Sequence, residues 1–331
     1  MKLKKALFML DKLRRDLRTP KERYVQAADI HSNVLGSYYF VFDEERVSGG
    51  KEQALIRQFD QKGIPINKTY VDVEGQEFVY FPISIGQMGL AVYHTWLKTR
   101  NSEDLKRFLH FADWFMENAD LTPELGARWL TDVPLPQYKT PAGWASAFSQ
   151  ARAMNILLRA YQETGDHKFA HMAEKALPAF RQTTQKGGVM SETPWGPFYE
   201  EYAAEVPTLV LNGKIFALFG LFDFVRVFPQ HSEARKLFQL GIDALKKALP
   251  AFDMGYWSRY NLCDASWYPK LDPSTIQYQR LHISQLEVLF RISGEPVFSE
   301  YAALFRRQDT MLNAIRAYGK KFQSLRKLKR L

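Results

Sequence analysis

The chain has a single cysteine, Cys263, among its 331 residues. No intrachain disulfide can form, so packing and hydrogen bonds must hold the core, as suits a reducing compartment. No stretch approaches the ~20 consecutive apolar residues of a membrane-spanning helix. The N-terminal MKLKKALFMLDKLRRDL begins like an export signal, but its apolar run, ALFML, stops at Asp11. That is shorter than the ~7–15 residues of a signal h-region. There is no Gly-rich phosphate loop of the kind that cradles a nucleotide cofactor. His31, His94, His110, His167, His171 and His231 show no metal-ligand spacing. His167 and His171 are four apart, but they open a predicted outer helix, where a structural or exposed role is expected. Cys263 has no charged relay beside it and reads as a packing residue. These absences give a cytoplasmic chain that needs no metal and no cofactor.

Acidic residues are missing from one place in particular. The last segment, RAYGKKFQSLRKLKRL from Arg316, has seven Lys and Arg and no Asp or Glu. The first 23 residues are also basic, so much of the net charge of +9 sits at the two ends. Phe322, Leu325, Leu328 and Leu331 follow at helical spacing. The tail reads as a solvated basic helix or as one that meets the inner face of an anionic membrane. No nucleic-acid-binding motif accompanies the charge.

What the chain has in quantity is aromatics, 14% of residues, including 16 Tyr and 7 Trp. Rings of this kind fill cores, and they also stack on sugar faces while keeping a polar handle. A phrase of about 64 residues recurs: an apolar helix, a polar break, then an amphipathic helix. The breaks fall near Asn101, Gly165, Gln230 and Gly294, at intervals of 64, 65 and 64 residues. The first helix of each pair is apolar around its circumference and should line the inside; the second should face solvent. Four or more such hairpins make an open solenoid or a closed α/α toroid. Between pairs, residues 68–82 and 254–269 alternate like strands and are predicted as β-hairpins at the cleft end.

Polar residues recur near the starts of the inner helices: Gln87, Gln150, Asn212, and His282 with Gln285. Buried amides must find partners or face a cavity, and four comparable placements favour a shared cleft. Near the same end lies PWGPFYEEYAAEVPTLVLNG, where Tyr199, Glu200, Glu201 and Tyr202 stand together. A solvated loop does not need the aromatics, and an ordinary core does not want adjacent carboxylates. Tyr260 and Tyr278 fall at this end too. Tyr278 precedes His282 by four residues, so on a helix the two face one direction.

In order, YFPISIGQMGL, GWASAFSQARAMNILLRAY, WGPFYEEYAAEVPTLVLNG, SRYNL and IQYQRLHISQL resemble the C-terminal domain of the D-glucuronyl C5-epimerases over roughly residues 78–312. These enzymes convert glucuronate to iduronate within heparosan-type polysaccharides. The resemblance implies an α/α toroid, in line with the repeat. It places the catalytic groups on Glu201, Tyr202, Tyr260 and Tyr278. The same segments carry substrate-binding candidates: Tyr80, Gln87, Trp144, Gln150, Arg152, Tyr199, Glu200, Asn212, Arg280 and His282. Epimerisation at C5 needs an acid/base group on each face of the sugar and donors or cations for the carboxylate that gains charge.

The chain departs from the family at several points. Tyr260-Asn261-Leu262-Cys263 stands where the family has Tyr-Asp-Leu-Arg, so a carboxylate-facing arginine is missing, with Arg152 and Arg280 the candidates to replace it. Ala203 replaces a proline. The family's enzymes also carry a β-rich N-terminal part; the 80 or so residues here are too few for all of it, so that portion is expected to be reduced or replaced.

The expected organisation is a mainly α chain. An N-terminal arm (1–70) packs on an α/α toroid or incomplete α/α barrel (71–313), and a basic tail follows (314–331). The expected activity is inversion of C5 in glucuronyl residues of a polysaccharide or lipid-linked oligosaccharide. A uronate lyase or glycoside hydrolase on the same toroid stays open, as does an inactive binder of acidic glycans, and a homodimer is compatible with the sequence.

Overall fold

The computed structural model describes residues 11–21, 24–49, 56, 58–69, 73, 75, 77–328 and 330. Its frame is a mainly helical α/α toroid. Four inner helices are α1 (Pro82–Thr99), α3 (Ala147–Thr164), α5 (Leu211–Val227) and α7 (Ile276–Ser293). Each is followed by an outer helix: α2 (Ser102–Glu117), α4 (His167–Glu174), α6 (Ser232–Phe252) and α8 (Pro296–Gln308). Inner helices pack side by side in chain order, α1 on α3, α3 on α5, α5 on α7, and each also packs on its own outer helix. Burial follows the expected division. Every residue of α3 from Ala147 to Ala160 is buried, whereas α2 buries only the stripe Phe108, Phe111, Ala112 and Phe115.

The breaks between paired helices have local causes. Gly165 and Gly294 end α3 and α7 at φ of 70° and 71°, the left-handed cap that glycine adopts without a Cβ clash. Arg100 takes the same role at φ 55° after α1. The side chains of Asn101 and Asp166 then accept backbone N–H bonds at the starts of α2 and α4, satisfying donors that a helix start leaves open.

Short antiparallel strands precede three of the four inner helices, α1, α3 and α5, which puts them at the N-terminal ends of those helices. The expected hairpin at 68–82 pairs β2 (Pro65–Lys68) with β3 (Phe78–Val79), with β1 (Gln58–Phe59) on the other side of β2. Its centre at Glu74 lies outside the described residues. Two hairpins were not expected from sequence: β4 (Asp120–Thr122) with β5 (Gly126–Arg128), and β6 (Met190–Thr193) with β7 (Gly196–Tyr199). The hairpin expected at 254–269 does not form. That segment is a loop tied by isolated bridges to distant residues, Val210 with Asn261 and Arg259 with Pro273.

Residues 24–42 run across the C-terminal halves of all four inner helices. The backbone N–H of Tyr38 donates to His94 Nε2 of α1 at 3.0 Å, and that of Leu35 to Gln162 Oε1 of α3 at 2.7 Å. The Tyr39 hydroxyl donates to Asp223 of α5 at 2.7 Å, and Arg291 of α7 donates to the carbonyl of Ala27 at 2.9 Å. Tyr38, Tyr39 and Phe40 are fully buried within the main core.

The basic C-terminal segment is not a free tail. Helix α9 (Met311–Lys327) spans the boundary placed at 313/314. Its apolar stripe faces the protein: Phe322 and Leu325 pack with Trp257, Ile276, Leu13 and Leu17, and Leu328 packs beside Tyr268 and Cys263. Leu331 lies outside the described residues. Among the described residues no helix is long and apolar enough to cross a membrane.

Candidate active site

Four side chains from two successive repeats meet at the N-terminal end of the inner helices. Glu201 and Tyr202 come from the loop between β7 and α5, Tyr260 from the loop before α7, and Tyr278 from the first turn of α7. The Tyr202 hydroxyl lies 3.4 Å from that of Tyr260 and hydrogen-bonds to the Glu201 carboxylate. The rings of Tyr260 and Tyr278 meet edge to face with centroids 5.0 Å apart. All three phenols are half-buried, so the cluster opens to solvent while Glu201 forms its floor.

Glu201 is 5% exposed, and its Oε2 accepts from Asn212 Nδ2 at 3.0 Å. Burial pushes its carboxyl up to about 7, against smaller lowering by the bonds from Tyr202 and Asn212. It can therefore give or take a proton near neutrality. Burial also raises the Tyr260 phenol well above its ordinary value, helped by the Glu201 charge. Tyr260 is held as a neutral hydroxyl.

Behind Glu201, polar atoms are left over. Gln285 Nε2 donates to the Asn212 carbonyl at 3.0 Å, and Ser258 hydrogen-bonds His282 Nδ1 at 2.9 Å. Yet Asn212 Oδ1, Gln285 Oε1 and His282 Nε2 are buried with no protein partner. Orphaned groups of this kind are costly in a core and normal in a site that awaits a polar ligand or water. Burial lowers His282 to about 3, so its ring is neutral.

The walls are aromatic. Trp144 packs edge-on against Tyr202 at 5.3 Å while its Nε1 donates to the Val133 carbonyl. Tyr138 lies 5.4 Å from Tyr202 and stacks on Tyr268 at 5.3 Å. Asn261 donates to both Tyr138 and Tyr268 hydroxyls, and Tyr268 donates to Asp272. Lys321 of α9 pairs with the other Asp272 oxygen at 2.7 Å, its Nζ 5.1 Å from the Tyr260 ring centroid. Sequence reasoning did not single out Tyr138, Tyr268, Asn261 or Lys321 as site residues. They lie in loops and a helix outside the inner-helix starts, and only the Tyr/Trp richness of 254–269 hinted at one of them.

Other expected site residues lie elsewhere. Glu200 is fully buried with its carboxylate filled by Ser191, by the Thr208 hydroxyl and N–H, and by the Leu209 N–H. It pins the loop. Tyr199 points away, donating to the Leu237 carbonyl of α6 at 2.6 Å. Tyr80 is exposed and bonds Asp60 at 2.6 Å, its ring tilted against Trp114 with centroids 5.7 Å apart. Gln150 ties α3 to Ala127, Trp129 and Ala176 of the neighbouring loops.

Neither candidate arginine reaches the phenols by a recorded contact. Arg152 sits within an aromatic cage of Tyr38, Phe42, Phe148 and Phe216 and donates to Gln87 at 2.9 Å. Arg280 pairs with Asp309 at 2.9 Å. No cluster of three or more metal-ligating side chains occurs among the described residues.

Residues 126–307 match the family model for the D-glucuronyl C5-epimerase C-terminus. The D-glucuronyl C5-epimerase of Caenorhabditis elegans is 26% identical over 231 residues, 66% of this chain and 38% of that protein. An uncharacterized protein of Methanocaldococcus jannaschii is 29% identical over 63% of this chain and 70% of its own length. In fold, the chain is similar to cellobiose 2-epimerase from Spirochaeta thermophila, with a TM-score of 0.52 at 13% identity, covering 72% of this chain and 63% of that one. The match to the nematode enzyme thus leaves most of that protein's length uncovered. The family model nevertheless spans more than half of this chain, from β5 through most of α8, and takes in all four converging side chains. The chain belongs to the D-glucuronyl C5-epimerase C-terminus family.

Proposed function

We propose that the chain inverts C5 of glucuronyl residues in a polysaccharide or lipid-linked oligosaccharide. The observation that carries this is the meeting of Glu201, Tyr202, Tyr260 and Tyr278 in one half-buried cluster. The C5 proton lies next to a carboxylate, and its removal builds charge on that group. A pit of hydroxyl donors suits this step. So do the four inner helix starts, none of which has an acidic residue in its first turn. Their dipoles favour an anion at this end.

The protons balance between the cluster and solvent. Tyr202 takes the C5 proton and passes its own to the ionised Glu201, leaving an enediolate on C5 and C6. Tyr260, a neutral phenol, or Tyr278 beside it then returns a proton to C5 from the opposite face, and solvent takes the proton from Glu201 and gives one back to the phenol. No electron acceptor and no leaving group enters the step.

The test is incubation with glucuronate polymers in deuterated water. Deuterium at C5, with chain length unchanged and no new absorbing double bond, is the expected result. A shortened chain would instead show a hydrolase, and an unsaturated product a lyase. Tight binding without exchange would leave a non-catalytic glycan binder.

A further inference from the structure

The last helix lies beyond the family match, which ends at residue 307, yet it docks against the loop that carries Tyr260. Its inward stripe holds this loop at several points. Tyr318 accepts from the Ile276 N–H at 3.4 Å, Ser324 donates to the Leu271 carbonyl at 2.7 Å, and Lys327 to the Tyr268 carbonyl at 2.7 Å. Lys321 is in the middle of this stripe, one turn from Tyr318 and from Ser324.

The side chain of Lys321 is 12% exposed and that of Asp272 is 4% exposed. An ammonium has three donors. Asp272 Oδ1 takes one, and no other hydrogen-bond partner is recorded for Lys321 among the described residues. The second Asp272 oxygen is already occupied by the Tyr268 hydroxyl. Of the rings in the phenol cluster, that of Tyr260 has a recorded cation over it, and the cation is Lys321. Arg152 and Arg280 are committed to the Gln87 and Asp309 contacts described above.

We propose that Lys321 supplies the positive charge that receives the substrate carboxylate beside Tyr260, making α9 part of the substrate site. This rests on the uronate reading above. Asp272 holds the ammonium in place and leaves donors for the sugar. Lys321 thus selects acidic over neutral sugars and favours the state in which the carboxylate gains charge.

The test is calorimetric binding of two probes, a glucuronate-containing tetrasaccharide and its carboxyl-reduced counterpart. The proteins are the wild type, Lys321→Met, Lys321→Arg, and the double variant Asp272→Asn/Lys321→Met. The double variant leaves no unpaired buried acid, so the measurement survives if the single methionine variant fails to fold. The wild type should prefer the acidic probe by about tenfold to a hundredfold, the range of one hydrogen bond to a charged group. Both methionine variants should lose that preference while binding the neutral probe as before, and Lys321→Arg should keep it. If the methionine variants keep the wild-type preference, Lys321 has only a structural role, and the uronate reading stands without it. If the wild type itself fails to prefer the acidic probe, both are overturned.

Discussion

Glu201 meets two opposing demands. Burial makes its ionised form expensive, and the proposed chemistry needs that form. An acid held at about 7 instead of the ordinary 4.5 keeps its proton more firmly folded than unfolded. Stability from this group is complete below the unfolded value and is lost as pH rises through about 7. The loss is on the order of 3 kcal/mol. Urea unfolding at pH 5 and pH 8 should show wild type losing more stability over that interval than Glu201→Gln, by roughly this amount. Activity should run the other way, rising as pH passes about 7, with Glu201→Gln inactive throughout. A variant with the wild-type pH dependence of stability would place Glu201 outside this role. In sequence, YEEY shows four chemically capable residues in a row and cannot say which are used. The chain leaves β7 at Tyr199 and bends at Glu201 and Tyr202, so Tyr199 and Glu200 turn into the protein while Glu201 and Tyr202 turn to the site.

The helix α5 brings a second constraint to the same carboxylate. Its third residue, Gly213, lies against Glu201: a Cβ there would fall 2.3 Å from Glu201 Cβ and 2.5 Å from Oε2. Only a glycine lets the helix start approach this closely. Gly213→Ala should displace Glu201 by a sizeable fraction of an ångström. The expected cost is about a hundredfold in turnover, with the far-UV circular dichroism unchanged. Wild-type turnover in that variant would mean that Glu201 need not sit where it does. The helical elements were legible because their apolar pattern repeats and because Gly165 and Gly294 mark their ends. The hairpins were less so. β4 to β7 are three or four residues each, three of them include Asp, Glu or Pro, and all have little room to show alternation. The 254–269 segment alternates well, but its bridges go to residues outside it, Asp253, Val210 and Pro273, and its own alternation does not show such partners.

The whole molecule depends on a segment with no repeat signal. Residues 24–42 cross all four inner helices, and Asp223 is where their contacts concentrate. This fully buried carboxylate accepts from Tyr39, Asn155 and Arg159 at 2.7 Å each and pairs with Arg226 at 3.4 Å. Asp223→Ala leaves two buried guanidinium groups uncompensated and should cost about 3–5 kcal/mol, read as a lower urea midpoint. A change below 1 kcal/mol would show that apolar packing alone holds the segment in place. The 64-residue period made the ring legible, but these long-range contacts left no periodic trace in the first 70 residues. In the proposed function, the ring gathers phenols from two successive repeats around one sugar. Deuterium exchange at C5 of a glucuronate polymer by the wild type, Tyr202→Phe and Tyr278→Phe tests that gathering most directly. The account predicts exchange by the wild type and a fall of orders of magnitude in each folded variant. Undiminished exchange in both variants would contradict it.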